Sequence, residues 1–356
     1  MLNSLLSGDF PRSRLLTVLL IISVLGLLLT PFIFPGARAM NVGAKICIFI
    51  VLVAAFDLML GYTGILSFAH TMFFGIGAYG VALACEKLGP TWESVAIGTL
   101  VGVVASGIVA LIISLFSLRV RTLYFAMITL AVAAAFHILC SQLSEITGGE
   151  DGINFSVPDI IHPSTVLSDT PFLGVEVTGQ LVAYYGLFVF AAICFLFILR
   201  VVNSPFGRVL QAIRDNEFRA AALGYRVVVF RATSSVLGCM FAALAGSMLA
   251  LWLRYNGPGS TLGFDIMMDI LLIVVIGGMA TMYGAVIGAV LYIIAQNYLQ
   301  DVLKMVQPMV DGVPVISGML HPDRWLLWMG ILFILCVYYF PWGMVGKLRM
   351  RALGIK

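Results

Sequence analysis

The 356-residue sequence is 61% hydrophobic and 10% charged, where soluble domains carry about 25% charged residues, and its mean hydropathy is +1.07. These values exclude a soluble enzyme or binding module and specify an integral membrane protein. At about 20 apolar residues per span there is room for about eight to ten helices, with no separate soluble domain of ordinary size. A net charge of +3 is then no nucleic-acid signal, and the basic residues report topology instead.

In chain order, apolar runs at about 15–35, 41–60, 64–86, 94–117, 122–143, 180–199, 232–253, 265–282, 284–300 and 325–342 give ten candidate spans. With Arg12 and Arg14 in the cytoplasm, ten crossings return Lys347, Arg349, Arg351 and Lys356 to the same side. Arg119, Arg121 and the six arginines from Arg200 to Arg231 also fall inside, so fourteen of the twenty basic residues obey the positive-inside rule. The first run precedes "PGARAM", which resembles a leader cleavage site. Its length exceeds a usual leader core, and keeping it places both basic ends in the cytoplasm, so it reads as an uncleaved span.

The stretch "GYTGILSFAHTMFFGIGAYG" (61–80) puts Gly61, Gly64, Gly75, Gly77 and Gly80 at membrane depth, although glycine is among the poorest helix formers. Two uses fit: glycines let backbones approach closely, or they let a helix break while Thr63, Ser67 and Thr71 satisfy the freed groups. Tight packing accounts for any single glycine; the segment as a whole reads as lining a translocation path, with Gly61, Gly64, Ser67, His70, Gly75 and Gly77 as its residues. His70 admits two readings, an intramembrane ligand or relay and a hydrogen-bonded packing residue. Asp57, near the inner end of its span, and Asp269, about a turn into its own, are the other intramembrane candidates. Asp57 there is expected to reach water, and Asp269 to face an outer cavity or a partner chain.

Two longer polar stretches, 144–179 and 301–324, fall outside and read as short structured loops or interfacial helices. The inward-facing stretch is "NSPFGRVLQAIRDNEFRAAALGYR" (203–226). Ser204 is a good N-cap, Pro205 suits the first helical position and Gly224 a C-terminal stop, which predicts one short helix between them. Phe206, Val209, Leu210, Ile213, Ala220 and Ala221 form its apolar face, and Arg208, Arg214, Asp215, Glu217 and Arg219 take the other positions. Interleaved signs suit a protein groove of mixed charge better than an anionic lipid surface. Further on, "MYGAVIGAVL" (282–291) echoes "GIGAYGVAL" (75–83), which suggests an internal two-fold pseudo-repeat with glycine-interrupted helices in both halves. Gly277, Gly278 and Gly284 then join the candidate path.

The six cysteines stand singly in apolar runs and read as packing residues. No histidine has ligand-spaced partners, so no metal or other cofactor is expected. No HExxH, Ser/His/Asp or Asp-rich motif suggests catalysis, and no GxxxxGK[ST] phosphate loop occurs.

Four stretches together resemble a known family. "SPFGRVLQAIRDNEFRAAALG" is similar to the cytoplasmic coupling loop of LivM-type permeases of bacterial ABC importers, the branched-chain amino acid family that also includes urea permeases. "GYTGILSFAHTMFFGIGAYG", "TGGEDGI" (147–153) and "VIGGMATMYGAVIGAV" (275–290) resemble three further signatures of that family in the same order. The resemblance covers about residues 40 to 345. It implies an all-α polytopic membrane protein of about ten transmembrane helices in one permease domain, 1–356, in the bacterial inner membrane with both termini cytoplasmic. It also implies a second, homologous permease subunit, two cytoplasmic ABC ATPase subunits and a periplasmic substrate-binding protein as partners, with no nucleic acid and no catalysis in this chain. By the same carry-over, Ser204, Pro205, Phe206, Gly207, Arg208, Ile213, Arg214, Asp215, Glu217 and Gly224 couple the permease to the ATPases. Gly148, Gly149 and Asp151 either contact the binding protein or make a structural turn.

The resulting expectation is a permease subunit for a small neutral or zwitterionic solute, since no concentrated set of like charges lines the spans. Branched-chain or other aliphatic amino acids come first, and urea or a short amide second. From another class, an ion-coupled carrier would show clustered acidic or histidine residues at mid-membrane, where only sparse candidates exist.

Overall fold

In the computed structural model the described residues are 13–34, 36–117, 122–172, 175–310, 321–340 and 342–352. They are predominantly helical, as a chain must be where its backbone has no water to bond. The helices are α1 Arg14–Ile33, α2 Ala37–Thr63, α3 His70–Leu88, α4 Trp92–Ser117, α5 Thr122–Gln142, α6 Ser144–Thr147, α7 Gly179–Val202, α8 Pro205–Asp215, α9 Glu217–Ala222, α10 Val227–Leu253, α11 Pro258–Thr261, α12 Phe264–Gly277, α13 Met282–Val310, α14 Trp325–Tyr339 and α15 Gly343–Ala352. Two small antiparallel ribbons complete it: β1 Ile153–Asn154 pairs with β4 Tyr255–Asn256, and β2 Val166–Phe172 pairs with β3 Val175–Thr178. Contacts divide the chain into two compact units, residues 27–270 and residues 13–26 with 271–352, and α1 and α12 each run from one into the other.

Nine helices among the described residues are long and apolar enough to cross a membrane. They match nine of the ten expected runs. The exception is 64–86, which divides into an unwound stretch at 64–69 and α3, a helix that falls short of that apolar standard. The reason is its surroundings: α3 packs on α10 and α4 and is buried along most of its length, so it has little need of a lipid-facing side. α2 is equally central, buried from Val42 to Thr63 apart from Lys45 and Leu60.

Small residues make this packing, because lipid gives two apolar helices no hydrophobic reason to associate and close backbone approach must hold them together. A Cβ on Gly246 of α10 would lie 1.8 Å from the Phe74 carbonyl oxygen, and one on Gly77 of α3 would lie 1.9 Å from that of Ala243. The Ser247 hydroxyl donates to the Gly77 carbonyl at 3.1 Å across the same seam. On the other side of α3, Gly80 and Gly98 of α4 approach so closely that each would meet the other's carbonyl oxygen within 2.6 Å.

Two groups of loops in this unit lie at opposite ends of its helices. At one end the 203–226 segment meets the C-terminal end of α2. At the other, β1 pairs with β4 and the Gly179 backbone abuts that of His162. The expected loop at 144–179 contains short helical turns, β1 and the β2–β3 ribbon. That at 301–324 begins later than expected, because α13 continues to Val310, and residues 311–320 lie outside the described residues.

In the other unit, Leu16, Tyr283, Ile287 and Val345 form a buried cluster, and α12 and α13 close upon each other at Gly277, Gly284 and Gly288.

The α3–α10 seam yields a direct expectation. Gly246→Ala adds one methyl where a carbonyl stands, and overpacking of this kind costs about 1–3 kcal/mol. The purified protein in lipid nanodiscs should unfold at a lower temperature than wild type, whereas Gly186→Ala, with open space around its Cβ position inside α7, should not lower the midpoint.

Candidate functional site

The 61–80 stretch is a broken helix pair. α2 stops at Thr63 because Gly64 turns into the left-handed region at φ +73°, and its amide still donates to the Leu60 carbonyl at 3.2 Å. From Gly64 to Ala69 the backbone is not helical. Hydroxyls take over some of the freed bonds: Thr129 of α5 accepts from the Phe68 amide at 3.0 Å, Ser67 accepts from the Ala69 amide at 3.4 Å, and the Thr63 hydroxyl donates to the Met59 carbonyl. α3 then starts at His70, whose Nε2 donates to the Leu52 carbonyl at 3.2 Å while its ring stands edge-on to Phe56, with centroids 5.2 Å apart. His70 is fully buried, and this geometry is that of the packing reading.

The remaining path candidates are held in close packing contacts. Gly75 lies against Leu262, and Gly77 against Ala243 of α10. An apolar groove of about 600 Å³ between α4, α7 and α10, lined by Leu100, Phe190, Leu244 and Leu251 among others, includes none of the path candidates. In the other unit Gly277, Gly278 and Gly284 repeat the local pattern. α12 ends at Gly277, Gly278 takes φ +112°, the Thr281 hydroxyl donates to the Gly278 carbonyl at 2.5 Å, and α13 follows at Met282. Each unit thus carries a helix, a glycine-marked break stitched by hydroxyls, and a second helix with glycines on its packing face.

Asp57 is 2% exposed and is buried rather than wetted, contrary to its expected contact with water. Asp269 is half-buried and within electrostatic reach of Lys45 of α2, itself 5.5 Å from the Phe49 ring centroid.

The 203–226 segment is two helices, not the expected single one. Ser204 caps α8 by accepting from the Gly207 amide at 3.4 Å, with Pro205 in the first turn. Gly207 is required there, since a Cβ would stand 1.8 Å from the Val202 carbonyl oxygen. The helix breaks at Asn216 because that side chain caps α9 instead, accepting from the Arg219 amide at 2.9 Å. Such local bonding is why Asn favours caps over helix interiors. α9 closes with Gly224 at φ +91°, its amide bonded to Ala221 and that of Tyr225 to Ala220, which is a Schellman pair. The expected apolar face holds except at Ala221, which is exposed: Leu210, Ile213 and Ala220 are buried, with Ile213 and Ala220 packed on Val227, and Phe206 stacks on Phe230. Arg208, Asp215, Glu217 and Arg219 are exposed as expected.

Two tethers fix this segment. The Arg214 guanidinium donates to the Gly61 carbonyl in the last turn of α2, and its Cγ lies 3.7 Å from where a Gly64 Cβ would stand. Glu217 pairs with Arg231 of α10 at 3.0 Å. Sequence pattern missed Phe218 and Leu223, which are 88% and 73% exposed. Phe218 stands between Glu217 and Arg219, three residues before Ala221, and a large aromatic between charges was the available signal.

At the opposite end the "TGGEDGI" stretch is a turn. Gly148, Gly149 and Gly152 all have φ between +63° and +73°, and a Cβ on Gly152 would meet the Asn256 carbonyl oxygen at 2.5 Å. The Thr147 hydroxyl donates to the Cys140 carbonyl at 2.5 Å. Asp151 is exposed. Five of the six cysteines are buried and Cys336 is half-buried; all are unpaired. Among the described residues no group of three or more His, Cys, Asp or Glu is placed to hold a metal.

Residues 38–337 match the family model described as branched-chain amino acid transport system / permease component. The chain is 28% identical to a protein of Methanocaldococcus jannaschii named as a probable branched-chain amino acid transport permease protein LivM, covering 81% of this chain and 87% of that one. It is 25% identical to the high-affinity branched-chain amino acid transport system permease protein LivM of Salmonella typhimurium, covering 80% and 69%, and 24% identical to that of Escherichia coli, covering 89% and 76%. No solved structure matches the chain.

The cap at the start of α8 can be weighed directly. Ser204→Ala removes the only side-chain cap of that helix, worth about 1 kcal/mol. Trypsin cleavage at Arg208 in the membrane-embedded protein should quicken about fivefold if opening of α8 is local, with cleavage outside α8 unchanged.

Proposed function

The chain belongs to the branched-chain amino acid transport permease family, and from that membership we propose that it is the permease subunit of an ATP-driven importer for branched-chain or other aliphatic amino acids, lying in a bacterial inner membrane with both termini cytoplasmic. It is a multi-pass membrane protein and a transport subunit, and its work in this reading is alternating access rather than catalysis. Its partners are a second, homologous permease, two cytoplasmic ATPase subunits and a periplasmic binding protein. The 1–356 chain serves as one permease domain.

The observation that carries the coupling role is the bond from Arg214 to the Gly61 carbonyl. It joins the amphipathic 203–226 segment to the end of α2, three residues before the break at Gly64. In this reading Arg208, Asp215 and Arg219, together with exposed Phe218, meet the ATPase, while Ser204, Pro205, Phe206, Gly207, Ile213 and Gly224 shape the segment. Arg214 and Glu217 face the permease itself and transmit its movement to α2 and α10. Gly61, Gly64 and Ser67 belong to the element that moves. Gly75 and Gly77 of α3, with His70 at its start, and Gly277, Gly278 and Gly284 in the other unit, are contacts that slide or separate as the path opens.

Reconstituted in lipid with its neighbouring permease, ATPases and binding protein, the complex should hydrolyse ATP faster with leucine, valine or alanine than with urea or acetamide. Arg214→Ala should leave ATPase subunits bound yet reduce leucine uptake about tenfold, whereas Phe218→Ala should weaken ATPase association itself. Stimulation by urea or acetamide alone replaces the amino acid by an amide. If no ATPase associates with the wild-type chain, the importer reading is wrong and an ion-coupled carrier takes its place.

A further inference from the structure

Among the buried polar atoms in the unit of residues 27–270 that have no hydrogen-bond partner among the described residues are the Tyr79 hydroxyl on α3 and the Asn256 side-chain nitrogen on β4. Tyr79 is 5% exposed and Asn256 fully buried. Polar atoms left unpaired in an apolar interior cost stability, so two of them in one place point to something that bonds them at another stage of the protein's work.

They do lie in one place. Tyr79 shares a buried cluster with Cys140, Ile153 and Leu262. Ile153 is the cross-strand partner of Asn256. Leu262 sits against Gly75, one turn before Tyr79, and the preceding Thr261 donates its hydroxyl to Asn256 Oδ1 at 2.9 Å. With Oδ1 so engaged, Asn256 has only N–H groups left to offer, and the tyrosine hydroxyl donates as well. The complement of two neighbouring neutral donors is an acceptor with several lone pairs and negative charge, which is a carboxylate.

Both atoms lie near the end of the bundle away from the arginine-rich 203–226 segment: Tyr79 packs against Ile153 of the β1–β4 ribbon, Asn256 belongs to that ribbon, and the glycine turn at 148–152 closes against it. We propose that the Tyr79 hydroxyl and the Asn256 amide form a carboxylate-binding subsite for the transported amino acid between α3 and the β1–β4 ribbon. The subsite rests on the importer reading above. Neutral donors suit a transient stop on a transport path, because they orient a zwitterion by its carboxylate without a fixed buried cation that would hold it too firmly to let it pass on.

The test uses the complete transporter in liposomes with radiolabelled leucine outside and ATP within. Tyr79→Phe removes one oxygen and no contact seen in the structure, so a packing role alone predicts unchanged uptake. The subsite predicts a fall in maximal uptake of about tenfold, the scale of a hydrogen bond to a charged group, with the half-saturating leucine concentration unchanged because the binding protein sets it. The unfolding midpoint of the variant should not fall. Asn256→Asp keeps the acceptor for Thr261 while turning the donor into an acceptor, and should lower uptake further. Wild-type uptake by Tyr79→Phe would assign the two donors to a buried water only and overturn the subsite while leaving the importer reading intact. Lower uptake accompanied by a lower unfolding midpoint in both variants would make them structural residues and overturn it too. Absence of leucine, valine and alanine uptake by the wild-type complex would overturn the importer reading and the subsite with it.

Discussion

A backbone that leaves the helix at membrane depth must find a partner for every amide and carbonyl it frees, and the 64–69 break is organised around that constraint. The hydroxyls of Ser67 and Thr129 accept from freed amides, while Thr63 adds its own bond to the last turn of α2. On the carbonyl side the partner comes from outside the span: Arg214 donates to Gly61. A cation at the C-terminal end of a helix also meets the negative end of its dipole, so the position is favourable beyond the single bond. The same requirement that makes a broken helix expensive thereby fastens it to the segment that faces the cytoplasm in the proposed topology.

Glycine does two different jobs in this chain. At Gly64 and Gly278 it supplies a positive φ that ends a helix. At Gly77, Gly246 and Gly277 it supplies the absence of a side chain, so that helices meet backbone to backbone. Contacts of the second kind are strong only while the surfaces are in register, since a small shift replaces close van der Waals contact by a gap. A seam of this sort holds one arrangement well and has little holding it part-way, which suits an element required to occupy discrete states.

Much of the architecture was legible in the sequence because hydropathy and basic residues report spans and sides independently of packing. Nine of the ten runs correspond to helices able to cross a membrane. The tenth, 64–86, holds a helix that falls short of that apolar standard for a physical reason: α3 is buried along most of its length among other helices, and a helix so placed is free to carry Thr71, His70 and five-residue-spaced Gly75 and Gly80. Cap chemistry was equally readable at Ser204, Pro205 and Gly224, whose roles depend on near neighbours in the chain. The split at Asn216 was missed although Asn is a good cap, because the apolar spacing continues across it. What could not be read was the partner of each polar group: nothing local to Arg214 indicates Gly61, 153 residues away, and nothing local to Tyr79 or Asn256 indicates that they lie at one cluster.

The arrangement of tethers has a mechanical consequence. α8 is fastened through Arg214 to α2, and α9 through Glu217 to α10, while Asn216 divides the two. α10 packs along α3, and α2 leads into it through the break and His70. A displacement of the 203–226 segment therefore reaches α3 by two routes, one through the unwound stretch at its start and one along its glycine seam with α10. Because α8 and α9 meet at a single capping residue, their displacements need not be equal. Unequal movement would tilt α3 rather than translate it, and the greatest excursion of a tilted helix is at its far end, where Tyr79 lies against the β1–β4 ribbon.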